Sequence, residues 1–476
     1  MKTKYSSYLA SVDDTLHSLH KILSDYYEYV SILATDVSGL SVRVGQKQKS
    51  VSDYWMSERG FVVRVYKNGL YSEYSFNVLD KANINELATK IRLQLDKQLA
   101  IIDRKHYQIY RTAMIQEVET ELFVEREVKK LPEDVGVEQV VELLTSISDS
   151  GVKADKRVFE AMASVSMVHV NKLFISSKKH LRQSYVWSEG SLAGLARSDG
   201  KVKMDYRVYS GLKGAEILDE MANGMNEVIT SVIELFEADR VIPGEYDIIC
   251  TPEISGLIAH EAFGHGVEMD MFVKNRSLAK DYIDKPVAAK LVEMHDGAII
   301  ADNTSSYIFD DEGVVAQDTT IINAGILKTG ICDTLSALRL DKLPTGNGKR
   351  QSFERKAYTR MTNTIFCKGD NTLAEMMAGI KHGYLLEGVH SGMEDPKNWG
   401  IQCMLTKGRE IINGEFTGKI VSPVIMTGYV PDLLKSIDMV GTDIEVFGSG
   451  YCGKGYKEYV KAADGGPYLR AKARLG

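Results

Sequence analysis

Two imidazoles flank a carboxylate in the stretch Ser255-Gly-Leu-Ile-Ala-His-Glu-Ala-Phe-Gly-His-Gly-Val-Glu268, as His260, Glu261 and His265. Neutral imidazoles are the commonest protein ligands for zinc, and a glutamate beside a ligating histidine is the usual base for a water activated at the metal. The pattern is one residue longer than H-E-x-x-H. On a regular helix two side chains at i and i+4 are about 40° apart, but at i and i+5 they are about 140° apart, too far round to share one ion. The spacing therefore predicts a helix from about Ser255 that takes a π-turn and widens or ends at Gly264, where the backbone deforms most cheaply. The plainer reading of the same residues is a core helix carrying two incidental histidines.

A catalytic zinc takes three protein ligands and keeps one position open. Cys452, set between glycines in Gly448-Ser-Gly-Tyr-Cys-Gly-Lys-Gly455, is the candidate third ligand, against a small buried thiol at a tight turn. Glu268 competes for that place or stands behind a ligand as a supporting carboxylate. The Cys452 stretch also satisfies the first seven positions of a phosphate-binding loop, but Gly455 stands where a Ser or Thr hydroxyl would hold magnesium, so it is read as an imitation. Arg360 and Asn363 are polar residues inside a strand-like segment, suited either to a peptide carbonyl or oxyanion or to hydrogen bonds within a loop. His390 is carried as a further site candidate; His295 and His382 are read as ordinary hydrogen-bonded histidines.

The elements that must position these groups fall into two parts. Apolar residues Leu9 to Leu23 recur at helical spacing and predict an amphipathic helix over Tyr8 to Tyr29. Strands are predicted at Leu40 to Gly45 and Gly60 to Tyr66, with a hairpin turn at Asn68-Gly69. A helix follows from Asn83 to about Arg104, a linker at Lys130-Leu-Pro-Glu-Asp134, and another helix through Val137 to Leu144. From Phe159 to Tyr209 the chain reads as an antiparallel meander broken at Asn171, Glu189-Gly190 and Asp199-Gly200, then as one helix over Gly214 to Phe236. After Pro243 it alternates short strands and turns, with helices only at the histidine motif, Thr372 to Lys381 and Ser277 to Ala289. The predicted fold class is α+β: residues 1–240 form a mixed domain with antiparallel strands, and residues 241–476 a predominantly antiparallel β domain carrying the metal-binding helix.

Composition narrows the function. The 476 residues are 44% hydrophobic with a net charge of -7 and no Lys/Arg block, an ordinary globular balance that speaks against nucleic acid. Five widely spaced cysteines, an odd number, argue against a disulfide framework. No apolar run approaches the length of a bilayer span and the start lacks a continuous apolar segment, so a cytoplasmic protein with no membrane association is expected.

The chain resembles the TldD/PmbA family of metallopeptidases, formerly labelled modulators of DNA gyrase. The blocks that carry this are His260-Glu-Ala-Phe-Gly-His-Gly-Val-Glu-Met-Asp270, Asp310-Asp-Glu-Gly313, Thr345-Gly-Asn-Gly348, Thr359-Arg-Met-Thr-Asn-Thr364 and Gly450-Tyr-Cys-Gly-Lys454, in that order. The resemblance implies Zn2+ held by His260, His265 and Cys452, with Glu261 as catalytic base and Cys452 favoured over Glu268. It also implies cleavage of unfolded peptides by a dimer, either a homodimer or a heterodimer with a PmbA/TldE-like sibling lacking the metal motif. This chain looks like the metal-bearing, TldD-type subunit. It departs from the family pattern at Glu387 to Gly400, which reads as an inserted loop, and in the tail from Tyr456.

The expected function is thus zinc-dependent hydrolysis of unfolded or small peptides. The competing expectation is a regulatory or adaptor protein with a closed, four-ligand structural zinc site, completed by Glu268 or His390. A dipeptidyl peptidase with a similar His-Glu-x-x-Gly-His helix is disfavoured by length and by the late Cys452 motif.

Overall fold

The computed structural model describes residues 1–104, 111–455 and 458–476. The first half is built on an eight-stranded sheet. Helix α1 (Ser7–Ser24) is capped by the Ser6 hydroxyl, which accepts from Leu9 N at 3.1 Å, and buries Leu9, Leu16, Leu19 and Leu23. It stops at Ser24 rather than Tyr29, because the next residues bury alternate side chains (Tyr27, Tyr29) and run into strand β1 (Tyr29–Val44). Then come β2 (Lys49–Asp53), β3 (Glu58–Lys67), β4 (Leu70–Phe76), helix α2 (Ile84–Arg104), β5 (Thr120–Glu125), helix α3 (Val137–Ala154), β6 (Val158–Ser176), β7 (Lys179–Ser198) and β8 (Lys201–Gly211). The order is β4-β3-β1-β6-β7-β5, with β2 on β1 and β8 on β7.

The hairpin at Asn68-Gly69 forms as predicted, both residues having positive φ. In the meander only Asp199-Gly200 turns; Asn171 and Glu189-Gly190 lie inside strands of 19 and 20 residues. Their polar side chains have other work: Asn171 Oδ1 accepts from Ser6 N at 2.9 Å, and Glu189 pairs with Lys461 of the second half. Residues 130–134 are not a domain linker, since strands on both sides of them join one sheet and Leu131 is buried against Val128 and Val186. The helix predicted over Gly214 to Phe236 is two, α4 (Ile217–Met221) and α5 (Met225–Glu234), interrupted by the poor helix formers Asn223 and Gly224.

In the second half, strand Gly244–Cys250 lies between His382–Asp395 and Leu469–Leu475 in a seven-stranded sheet. A six-stranded sheet runs Ile326–Leu327, Thr319–Asn323, Met294–Asp296, Asn363–Phe366, Ala463–Gly466, Glu445–Phe447. The histidine motif packs between the two sheets, in a core drawn from residues 241–475 that includes Ile258, Phe263, Met361 and Phe366. Three expectations change here. Residues 387–400 are not an inserted loop but the distal part of one strand and the turn of a long hairpin, His382–Asp395 with Gly400–Ile412. Only Leu278–Tyr282 is helical between Ser277 and Ala289, as a single tight turn. The tail supplies strands to both sheets; Tyr456 and Lys457 lie outside the described residues. Thr372 does open a helix, through a capping box with Glu375, but it ends at Ala378.

The halves are joined by buried charge. Arg64 of β3, 7% exposed, lies 2.6 Å from both Glu73 of β4 and Glu312 of the Asp310–Gly313 turn, and Arg350 Nη1 reaches Glu73 at 2.9 Å. Removing one partner of such a group strands the others in low dielectric. Arg64→Ala is expected to lower the unfolding free energy by about 3–5 kcal/mol in urea melts; a loss under about 1 kcal/mol, the scale of an exposed pair, would show that the cluster contributes little.

Candidate metal centre

Pro252 opens the helix Pro252–Leu257 at its first turn, where its missing N–H costs nothing. Over Ile258–Gly264 the backbone widens to a π-helix, and the N–H of His265 donates to the carbonyl of His260. This is the five-residue periodicity that the spacing predicts, and it brings the two rings to 5.1 Å, crossed at 88°. Gly264 is required by close approach: a Cβ there would lie 2.3 Å from Met361 Sδ and 2.9 Å from the Ala259 carbonyl. A single tight turn, His265–Val267, then ends the element.

Cys452 arrives from strand Tyr451–Lys454, which pairs with Glu458–Lys461. Its Sγ lies 3.5 Å from His265 Nε2, 187 residues away in the chain, and donor atoms of His260, His265 and Cys452 lie within 4.8 Å of one another. Metal–ligand bonds of about 2.3 Å to sulfur and about 2.0 Å to nitrogen put a thiolate and an imidazole on one tetrahedral zinc about 3.5 Å apart, so the donor set fits the ion. The electrostatics agree. Burial alone would raise the Cys452 thiol and lower both imidazoles, but their proximity reverses each effect: the thiol falls well below its usual range and both imidazoles rise, His265 most. A thiolate held by imidazolium protons is an arrangement in which a divalent cation can replace those protons. The phosphate-loop reading fails in the structure as well, since the element beyond Gly455 is the strand Glu458–Lys461 and not a helix.

The supporting shell takes up alternatives that the sequence left open. Glu268 stands outside the converging donors: its Oε2 is 3.1 Å from His265 Nδ1 and 3.0 Å from Lys454 Nζ, orienting the ring from behind. Burial pushes this carboxyl up, yet Lys454, His265 and Arg360 outweigh it and hold it down to about 2. Arg360 faces the protein, donating to the carbonyls of Cys452 and, at 3.4 Å, Glu458; it braces the cysteine strand and does not reach into the cleft. Asn363 Nδ2 is spent on Gly297 O (2.9 Å) and Ser306 Oγ (3.2 Å). His390 is exposed at a bulge of its strand, its ring 6.5 Å from that of Tyr206, and is not among the converging donors. Three neighbours are not singled out by the sequence. Lys454 is hidden in the stretch that imitates a phosphate loop; Asp464 lies 3.8 Å from His260 Nδ1; Glu394 has both oxygens buried without a hydrogen bond, and burial drives its carboxyl well up. No spacing rule links these last two to the histidines.

Residues 243–472 match the model of the PmbA/TldA metallopeptidase C-terminal domain. Those residues carry the C-terminal domain of the PmbA/TldD metallopeptidases. A metalloprotease of Methanocaldococcus jannaschii is 28% identical over 419 residues, 87% of this chain and 90% of that one. A zinc metalloprotease TldD homolog of Saccharolobus solfataricus is 31% identical over 253 residues, 52% and 56% of the two chains. Two solved structures share the fold: a putative modulator of DNA gyrase from Thermotoga maritima (TM-score 0.77, 16% identity, covering 98% and 100%) and TldE from Thermococcus kodakarensis (TM-score 0.75, 14% identity, covering 97% and 99%).

Two of the donors, His260 and Cys452, line a cleft of about 230 Å³, together with Tyr206, Glu253, Glu261, Gly392 and Asp464. Gly392 lets its strand pass against Glu261: a Cβ there would lie 2.5 Å from Glu261 Cγ. Burial, then the charges of Asp464 and Asp205, push Glu253 up to about 7; burial likewise takes Asp464 to about 6. Because the folded state holds the Glu253 proton more tightly than the unfolded chain, stability falls as pH rises from about 4.3, the unfolded value, toward 7. Glu253→Gln is therefore expected to raise the melting temperature more at pH 8 than at pH 5; equal shifts at the two pH values would show that Glu253 is not held protonated.

Proposed function

We propose that the chain is a zinc-dependent peptidase of unfolded peptides, with His260, His265 and Cys452 as ligands and Glu261 as general base. The observation that carries this is the convergence of three ligand-type side chains, and no fourth among the described residues, beside a cleft that His260, Cys452 and Glu261 line. A closed structural site would need a fourth donor, and Glu268 is turned to the back of His265 instead. Bound zinc supplies Lewis-acid polarisation of the scissile carbonyl and of a water. Glu261 takes the proton of the attacking water and returns it to the leaving amine. Glu268 and Lys454 hold the His265 ring, and Arg360 holds the Cys452 strand, so the ligands are fixed before substrate arrives.

The substrate class rests on an open edge. Strand His382–Asp395 pairs with Gly400–Ile412 along its length, but on its other side it pairs with Gly244–Cys250 only over Gly383–Leu386. Val389, Ser391 and Gly392 beyond that point line the cleft, so an extended peptide can add there as a strand, which a folded segment cannot. The reading includes a division of the chain at residues 240/241, a cytoplasmic setting, and a dimer with a second copy or with a TldE-like sibling. Supporting it are the similarity to TldE and the lack, among the described residues, of any helix long and apolar enough to cross a membrane.

Glu261→Gln is expected to lower peptide hydrolysis by about 10²-fold or more while leaving the metal content unchanged, measured on a fluorogenic unstructured peptide alongside elemental analysis. Activity within a factor of two of the original would end the assignment of Glu261 as base.

A further inference from the structure

A second group of metal-type donors lies on the far side of the six-stranded sheet. Glu293, His295 and Cys367 bring a carboxylate, an imidazole and a thiol within 4.8 Å of one another. Their backbones are fixed by the central pairing of that sheet: Met294 opposes Phe366, His295 opposes Thr320, and Cys367 N donates to Glu293 O at 2.9 Å. Asp318, at the head of the neighbouring strand, lies 2.6 Å from His295 Nδ1. A carboxylate on one ring nitrogen sets the tautomer and aims the other nitrogen outward, as it does behind metal-bound histidines. That nitrogen, Nε2, has only the Thr320 hydroxyl at 3.4 Å, a rotor that can turn aside. The remaining free cysteines of the second half, Cys250, Cys332 and Cys403, are buried, and none joins such a cluster among the described residues.

The charge around the thiol is one-sided. Burial, then the carboxylates of Glu293 and Asp318, push Cys367 up to about 11. A divalent cation would relieve that repulsion and displace the thiol proton to solvent, leaving thiolate, imidazole and carboxylate as ligands and water in the fourth position.

We propose that Glu293, His295 and Cys367 form a second zinc site, oriented by Asp318 and independent of the His260/His265/Cys452 centre. The ion would brace the strand that carries Asp296, whose carboxylate accepts from Asn347, Thr362 and Thr364 on the opposite face.

The test is metal stoichiometry of the full-length protein, stripped with chelator and titrated with Zn2+, then with Co2+ to read thiolate-to-cobalt charge transfer. The original protein is expected to bind two equivalents, Cys452→Ala one, and Cys367→Ser or His295→Gln one. In a Cys452→Ala background, zinc should raise the melting temperature, and adding Cys367→Ser should abolish that rise. Glu293→Gln, at an exposed position that cannot compromise folding, should weaken the second equivalent about tenfold. No metal in Cys452→Ala, or a stoichiometry unmoved by Cys367→Ser, would overturn the proposal. Cys452→Ala binding as much metal as the original would instead count against the first centre.

Discussion

Two imidazoles five residues apart can meet one ion only if the helix that carries them is wider than an α-helix. Everything around the centre serves that one backbone fact. The π-segment Ile258–Gly264 lies between two sheets, with Met361 pressed on Gly264 and Gly392 pressed on Glu261, so the widened turn is enclosed from both sides. A π-turn in isolation is a poor helix. Here its cost is met by tertiary packing, and the result is a pair of crossed rings with a cysteine at zinc-like distance.

Behind the rings stands a largely buried charge network. Glu268 is its hub, between His265, Lys454 and Arg360, and Lys454 passes on to Asp270 at 2.6 Å. Arg360 in turn holds the carbonyl of Cys452. The ligand sequence and the cysteine strand are thus tied to each other by groups that never face the cleft. His260 lacks such a tie, its Nδ1 having no hydrogen bond and Asp464 standing 3.8 Å off. The two histidines are therefore unequal: one is fixed from behind, the other free to adjust.

Much of the centre was legible because its logic is local. The ring spacing demanded a π-turn, Gly264 marked its place, and Asn68-Gly69 named a hairpin from two residues. What could not be read depends on contacts between distant segments. Asp464 and Glu394 enter through strand register, which no local pattern encodes. Glu189-Gly190 looked like a turn, but a long β7 keeps Glu189 extended so that it can pair with Lys461. The block at Thr359–Thr364 invited a role at the cleft through Arg360 and Asn363 and is a fastening, Asp296 gathering Thr362 and Thr364; the Asp310–Gly313 block is another, Asp310 accepting from three backbone N–H groups. Arg360 stayed open between two readings for the same reason, since polarity inside a strand-like segment does not tell which way the side chain turns; its hydrogen bonds go to the backbone.

Strand Gly244–Cys250, which leads directly into the histidine helix, has Leu469–Leu475 as one of its two neighbours. During synthesis the histidines emerge long before that neighbour or the cysteine strand exists. Until residues 451–475 have been made, a nascent chain therefore holds His260, Glu261 and His265 without Cys452, on a strand that lacks at least one of its two neighbours. Loop closure over so long a stretch comes late in folding. Assembly of the three-donor cluster is thereby deferred until the segment around Cys452 has been made and docked, a delay set by topology alone.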